Sequence, residues 1–531
     1  MTSGKATAAG RPLGAVACGH PATAAAAEEV LREGGNAFDA VLAAFFASCV
    51  AEPVLCSLGG GGFLLAQADG ADPVLYDFFV QTPKQRTPAE ALDFYPIHAD
   101  FGTATQEFHI GLGAMATPGA VRGVFAIHRD LASMPLPRLV APAIRLAREG
   151  VEVRPIDAYL FSVVAPILMA EAGSRSLFTG ASGGLLGAGE ILRQTDLGDS
   201  LDALAHEGEA LFYEGDMAER LVSLCRDGGG QLTADDLAGY QVIKRRPFLC
   251  RYRDAEVLTN PPPSCGGILI GFALHLLGAE EPGRLEPISE EHLLLMARVM
   301  DLTNKARVEA RLEQASGEAE ESEAAERLFD SALLDRYAGE VAGHASFTRG
   351  TTHISVVDAA GNLAAMSLSN GEGCGRQLPG SGITLNNMLG EEDLNRGGFH
   401  HWPTDSRLSS MMAPSLARTA KGSLFAIGSG GSNRIRSAVL QVLTNLLDHG
   451  MELQAATEAP RLHLEGKLAN LEGGLAAGGG KLLSARGYQV IDWPKHNLFF
   501  GGVHGVARRA GGTFSAAGDP RRGGAARVVH G

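Results

Sequence analysis

After Thr352 the chain alternates: Ile354 and Val356 fall on one side, His353 and Ser355 on the other. A period of two predicts a half-buried strand. Ala359-Ala360-Gly361-Asn362 supplies a turn and 363–369 a returning strand, so 351–369 predicts a β-hairpin. Upstream the pattern is helical. Residues 23–33 predict a helix ended by Gly34-Gly35, and Asn36 caps a second over 37–51, with Asp39 at its third position. That second helix is apolar almost all round, which predicts burial. Further helices are expected around 138–150, over 268–277 after Pro261-Pro262-Pro263-Ser264-Cys265-Gly266-Gly267, and over 433–449, where Ile435, Val439, Leu443 and Leu446 share one face. Residues 233–240 predict a capped helical turn. Strands are expected at 74–83, 383–387, 424–427, 488–491 and 505–508. The Glu- and Ala-rich segment 307–327 reads as a solvated helix or a mobile connector. It lies shortly before Thr351, where a chain about to be cut is expected to be loose.

Composition narrows the class. The chain has 531 residues, which predicts two domains or one large layered one. Its net charge of −15 argues against nucleic acid and anionic membrane surfaces as partners, since both need basic patches. The most apolar run, 40–51, is too short to span a bilayer, and no apolar core of signal-peptide length follows Met1 to Arg11, so the expected location is cytoplasmic. Seven widely spaced cysteines read as reduced, buried thiols rather than a disulfide framework or zinc site. His400-His401 and Asp405 lack a ligand spacing, and no metal or cofactor is implied.

The candidate chemistry starts at Thr351. At a chain N-terminus, a Thr carries its own base, the free α-amine, which titrates close to neutral pH. An internal Thr has none, so the hairpin alone is compatible with plain scaffold. Three loops follow it: Ser367 to Gly373, with Ser369 placed to lie beside Thr351; Arg407 to Pro414; and Gly428 to Arg434, which opens a helix. Backbone N–H groups at a Gly-rich helix start suit a developing oxyanion. The glycine run Gly59 to Gly62 lacks the Lys-Ser/Thr of a phosphate-cradling loop and reads as close packing next to a site.

In this order the loops carry a resemblance. The chain resembles the γ-glutamyltransferase (γ-glutamyltranspeptidase) family from about Leu13 to Gly524. The resemblance rests on Gly34 to Ala40, Gly59 to Phe63, Pro261 to Gly267, Thr351-Thr352-His353 with Val356-Val357-Asp358 and Gly361-Asn362, Asn386-Asn387, Leu408-Ser409-Ser410-Met411, Gly428 to Ile435 and Asp519-Pro520-Arg521. It implies an α/β N-terminal-nucleophile hydrolase, a four-layer αββα sandwich formed as one large domain from two fragments. The precursor would cut itself between Gly350 and Thr351 into a large subunit 1–350 and a small subunit 351–531, which pair as a heterodimer; further dimerisation stays open. Thr351 would be the nucleophile and Ser369 its hydroxyl partner, with Gly431 and Ser432 as oxyanion hole. Ser409 and Ser410 would contact the substrate's carboxylate end. The expected activity is cleavage of γ-glutamyl amides such as glutathione, with transfer of the acyl group to water or an amine.

The substrate-reading half departs from the family. Phe79 stands where the family has an Arg that grips the glutamyl α-carboxylate. Asn370 and Gly371 follow Ser369, where the family has a residue and then Asn. Met388-Leu389-Gly390 intervene before Glu391 and Glu392, and the segment 387–407 is short. Lys84 or Arg86 is a candidate to replace the Arg, and Glu372 or Glu391 to hold an ammonium. An unpaired substrate carboxylate costs several kcal/mol, enough to change the preferred substrate. Two alternatives follow: an acylase of the same mechanism acting on a non-glutamyl acyl group, as in cephalosporin or glutaryl acylases, and a non-catalytic ligand-binding relative.

Overall fold

The computed structural model of the chain describes residues 10–100, 105–312, 315, 318–330, 333, 350–395 and 398–531. The architecture is mixed α/β and is built on the hairpin. Strands Thr352–Asp358 and Leu363–Ser369 pair antiparallel, with Thr352 opposite Leu368 and Val357 opposite Leu363. They occupy the middle of a seven-stranded sheet. Its order is Ala525–His530, Pro12–Cys18, Thr352–Asp358, Leu363–Ser369, Gly61–Gln67, Val74–Phe78, Ile243–Arg245. The hairpin is thus flanked by sequence-distant strands, Pro12–Cys18 on the Thr352–Asp358 side, with Ala525–His530 beyond it, and Gly61–Gln67 on the other.

A second sheet has six strands, in the order Phe514–Ala517, Gly502–Arg508, Leu424–Gly430, Ser415–Thr419, Ala255–Thr259, Phe248–Tyr252. Thr352–Asp358 packs across Leu424–Gly430 and Gly502–Arg508, so the two sheets face each other. Helices Pro21–Arg32 and Ala37–Ala51 cover the first sheet; Gly266–Gly278 and Arg434–Leu447 cover the second.

This layering corrects the half-buried hairpin. All seven residues of each hairpin strand are buried. The period of two separates two buried faces rather than core from solvent. Ile354 and Val356 join the apolar cluster of helix Ala37–Ala51. His353 and Ser355 face the second sheet, where the ring of His353 bonds Ser367 Oγ at 2.8 Å and Ser355 Oγ at 2.9 Å. Ser355 in turn donates to the His504 carbonyl at 3.2 Å. A polar residue is tolerated there because its partners are built in.

Helix Ala37–Ala51 is buried at every position. Asn36 Oδ1 accepts from the N–H of Phe38 and Asp39 at 2.8 and 2.9 Å, and Asp39 Oδ2 accepts from Asn36 N–H at 2.8 Å, a complete capping box. The Ala37 N–H bonds Asp358 Oδ2 at 2.9 Å, which locks the helix start to the far end of the nucleophile strand.

Three further expectations change. Helix Arg434–Leu447 sets Ile435, Val439, Leu443 and Leu446 in the core as expected, but its polar side is buried as well, from Arg434 to Leu446. Its polar side is covered by 461–465, with Ser437 Oγ to His463 Nδ1 at 2.7 Å and Gln441 Nε2 to the Leu462 carbonyl at 2.9 Å. Residues 383–387 make single bridges, Thr384 to Gln377 and Leu385 to Gly59, instead of a strand. In the 307–327 segment, helix Glu318–Leu328 keeps Glu320, Glu323 and Glu326 exposed, as expected of a solvated helix, but anchors its other face in the main core through Ala324, Ala325 and Leu328. Residues 313, 314, 316 and 317 of that segment, residues 334–349 between it and Gly350, and the leading residues 1–9 lie outside the described residues. All seven cysteines are buried and free. Among the described residues, no helix is long and apolar enough to cross a membrane.

Candidate active site

The hairpin register sets the site. Because Thr352 lies opposite Leu368, Ser369 falls opposite position 351, where the strand begins. The Ser369 hydroxyl donates to the Gly350 carbonyl, the carbonyl of the Gly350–Thr351 bond. Gly371 N–H bonds back to Ser369 Oγ at 3.1 Å and orients it. Gly350 has φ 138°, and a Cβ there would meet Gly371 O at 2.6 Å and Glu372 Oε1 at 2.9 Å. Only glycine enters this position without strain. The Thr351 carbonyl rests against Gly430, where a Cβ would come within 2.0 Å of it, and Arg522 Nη1 donates to it at 3.4 Å. Thr351 itself is buried, 6 % exposed, on the wall of a narrow pocket of about 30 Å³.

Ser369, Ser410, Ser432, Phe79, Met388 and Glu391 share that wall with Gly350 and Thr351. Gly431 and Ser432 leave strand Leu424–Gly430 at φ 125° and 49° and turn into helix Arg434–Leu447. Ser432 Oγ donates to Asp393 Oδ2 at 2.7 Å. The serine pair is split. Ser410 faces the pocket with its Oγ accepting from Met412 N–H at 3.0 Å, whereas Ser409 turns away and donates to the Pro263 carbonyl at 2.8 Å. Asn370 is fully buried behind the wall; its carbonyl accepts from Asn387 N–H at 3.4 Å.

Phe79 stacks on Phe63 with ring centroids 5.4 Å apart. Behind it sits Arg407, buried: its guanidinium donates to the Phe79 carbonyl, the Tyr240 hydroxyl and, at 2.6 Å, the Gln241 carbonyl, and its Nε lies 3.6 Å from Asp77 Oδ1. Neither candidate replacement cation reaches the pocket. Lys84 Nζ donates to the Asp235 carbonyl at 2.7 Å and Arg86 to the carbonyls of His401 and Trp402. Of the two candidate carboxylates, Glu391 lines the pocket and Glu372 does not. Glu391 is 7 % exposed, and its Oε1 has no hydrogen-bond partner. Burial, then the charges of Glu372 and Asp393, push its carboxyl well above the usual range.

The Gamma-glutamyltranspeptidase family model matches residues 23–529 of this chain. The chain belongs to the gamma-glutamyltranspeptidase family. The acylase ACY 1 proenzyme of Pseudomonas sp. (strain SE83) is 31% identical over 519 residues, covering 95% of this chain and 91% of that protein. The glutathione hydrolase proenzyme of Escherichia coli (strain K12) is 30% identical over 491 residues, covering 87% and 83%. Among solved structures, cephalosporin acylase from Bacillus halodurans superposes with a TM-score of 0.85 at 23% identity, covering 100% and 98% of the two chains, and shares the fold. Enzyme chemistry of the amidohydrolase and acyltransferase type is thus supported at the level of the family.

Two residues of this gamma-glutamyltranspeptidase-family site were not picked out by their sequence context. Glu52 follows helix Ala37–Ala51, is 5 % exposed, and accepts from Thr352 Oγ1 at 2.8 Å and Thr23 Oγ1 at 3.1 Å. Burial raises its pKa to about 7, against the pull of the Thr352 hydroxyl, Arg154 and the Thr23 hydroxyl. Its signal was an acid ending an otherwise apolar run, which demands a partner. Arg522, one residue beyond the quoted Asp519-Pro520-Arg521, was legible only from the fold.

Proposed function

We propose that the chain is a self-cleaving threonine amidohydrolase or acyltransferase whose nucleophile is Thr351. The observation that carries this reading is the Ser369 hydroxyl on the carbonyl of the Gly350–Thr351 bond. Attack of Thr351 Oγ on that carbonyl would form an ester bond and break the peptide bond. The hydroxyl proton ends on the departing nitrogen, which becomes the Thr351 α-amine. Negative charge develops on the Gly350 oxygen during attack, where Ser369 already donates. Water then hydrolyses the ester, leaving fragments 1–350 and 351–531. The name proenzyme carried by the acylase and glutathione hydrolase relatives supports this. The facing sheets with helices outside support the αββα reading.

In the mature protein the Thr351 amine would serve as base for its own hydroxyl. Thr351 Oγ would take the acyl group from an amide and release an amine; water or a second amine then takes the acyl group. The N–H groups of Gly431 and Ser432, at the start of a helix, are the proposed oxyanion donors for that second role.

Of the two acyl readings, the acylase type is favoured by a pocket wall that holds Phe79, Met388 and Glu391 and no cation among the described residues. The γ-glutamyl reading draws support from the glutathione hydrolase relatives. A denaturing gel tests the common mechanism: two fragments meeting at Gly350 and Thr351, and one uncut band for Thr351→Ala. An uncut wild-type chain that hydrolyses no amide overturns it.

A further inference from the structure

Of the six described non-glycine residues at positive φ, only Ser432 lines the pocket that holds Thr351. It stands at φ 49°, in the left-handed region that L side chains enter at a cost. Its neighbour Gly431 takes φ 125° without that cost and is backed by the chain: a Cβ there would meet Gly501 Cα at 3.1 Å and Arg522 Nη2 at 3.2 Å. Beyond Ser432 the helix begins, with Ile435 N–H on the Ser432 carbonyl at 2.9 Å. On the pocket side the Ser432 hydroxyl donates to Asp393 Oδ2 at 2.7 Å. Asp393 is a firm anchor. It lines the same pocket, in a turn that Asn395 braces by donating from Nδ2 to the carbonyls of Met388 at 2.9 Å and Glu391 at 2.8 Å.

A strained φ persists only where its surroundings over-determine it. Relaxation at Ser432 would re-aim the turn and with it the N–H groups of Gly431 and Ser432, whose worth to an oxyanion lies in their aim. A carboxylate beside a developing oxyanion opposes it by like charge, so the help Asp393 gives is geometric. Resting on the Thr351 reading above, we infer that Asp393 is a positioning residue for acyl transfer. Through the Ser432 hydroxyl it holds Ser432 in its left-handed conformation, and so ties the aim of the oxyanion donors to the turn 388–395. Its duty is to the protein's own loop and needs no charge on the substrate.

The test uses the processed protein and 4-nitrophenyl acetate, whose acyl group suits a pocket of about 30 Å³ and carries no charge for Asp393 to bind. Release by the Thr351→Ala chain is subtracted. Asp393→Ala and Ser432→Ala, each shown on a gel to be cut, are expected to lower kcat roughly tenfold while KM moves less than about twofold, because each leaves the strained φ unheld. Asp393→Asn, which keeps an acceptor and drops the charge, is expected to recover most of that loss. Ser432→Gly is expected to exceed Ser432→Ala by roughly fivefold, since glycine adopts this φ without strain. In the Ser432→Gly background, Asp393→Ala is expected to cost less than about twofold, because no side chain is left to hold. The inference is overturned if either alanine variant keeps or exceeds the wild-type kcat, or if Ser432→Ala matches or exceeds Ser432→Gly. It is equally overturned if Asp393→Asn is as slow as Asp393→Ala, or if Asp393→Ala costs as much in the Ser432→Gly background as in the wild type. Where Asp393→Ala is not cut, the order of Ser432→Gly and Ser432→Ala decides alone. A wild-type chain that stays uncut, or whose ester release equals that of Thr351→Ala, removes the reading beneath the inference instead.

Discussion

The two halves of this site are built differently. Around the Gly350–Thr351 bond, the carbonyls on both sides have donors and the backbone is fixed. Ser369 is on the Gly350 carbonyl, Gly371 N–H on Ser369, Arg522 on the Thr351 carbonyl and Thr352 on Glu52. On the rest of the pocket wall stand Phe79, Met388 and Glu391, whose Oε1 is unpartnered. The first half is complete in the uncut chain, as a bond-cleaving frame must be if the chain supplies its own first substrate. The second is incomplete, as a recognition surface must be if its missing partner is the ligand. The scissile bond is held by groups the chain itself supplies, whereas the pocket leaves a buried oxygen of Glu391 without a donor.

The comparison breaks most visibly at the nucleophile. Thr351→Ala is expected to abolish both the cut and amide turnover, a loss of at least about 10⁴-fold by analogy with other nucleophile deletions; Thr351→Ser should keep both. Gel and anilide assay read this together, and an alanine variant that still splits at 350/351 would remove Thr351 from the mechanism. Ser369→Ala comes next. Loss of one oxyanion donor slows a reaction by roughly 10²–10³-fold, so its self-cleavage half-time should lengthen by that factor, while Ser369→Thr restores most of the rate. An unchanged half-time would mean that the bond to the Gly350 carbonyl is structural. Gly350→Ala is expected to cost less, roughly ten- to a hundredfold in the same half-time, because a strained φ costs about 1–3 kcal/mol and the clash with Gly371 and Glu372 displaces the carbonyl. Here a mass spectrum of the products also matters: cleavage that moves to another bond would show that Gly350 selects the site.

How much of this the chain announced depends on which residue is asked. The hairpin, the Asn36-capped helix and the three loops were legible, because period, capping and glycine content are local. The serine pair Ser409-Ser410 looked like one motif, but a one-residue step in an extended chain sends neighbours to opposite sides, and only Ser410 meets the pocket. Burial of His353, Ser355 and the polar side of Arg434–Leu447 was hidden, since alternation cannot distinguish water from a second layer of protein. The isolation of Arg407, Lys84 and Arg86 from the pocket depends on carbonyls far along the chain and has no local signature at all.

The smallest effect probes the cost of completing the first half. Glu52 holds Thr352 next to the nucleophile, and its carboxyl is raised to about 7 chiefly by burial. In the unfolded chain it titrates near 4.5. The folded state therefore binds this proton more tightly, so the group's contribution to stability is full below about pH 4.5 and is lost as pH rises through about 7. Two and a half pH units correspond to roughly 3 kcal/mol, or about 3 °C in Tm for cooperative unfolding of a chain this long. Glu52→Gln cannot ionise. Its Tm relative to wild type should thus climb by about that amount between pH 5 and pH 8. Losing one acceptor for Thr23 or Thr352 adds an offset that does not vary with pH. The neighbours His20, Asp157, Arg154 and Cys18 are the same in both proteins, so their contributions cancel to first order. A Tm difference that stays flat across this range would mean that Glu52 is ionised throughout, with Arg154 and the two threonine hydroxyls offsetting its burial in full.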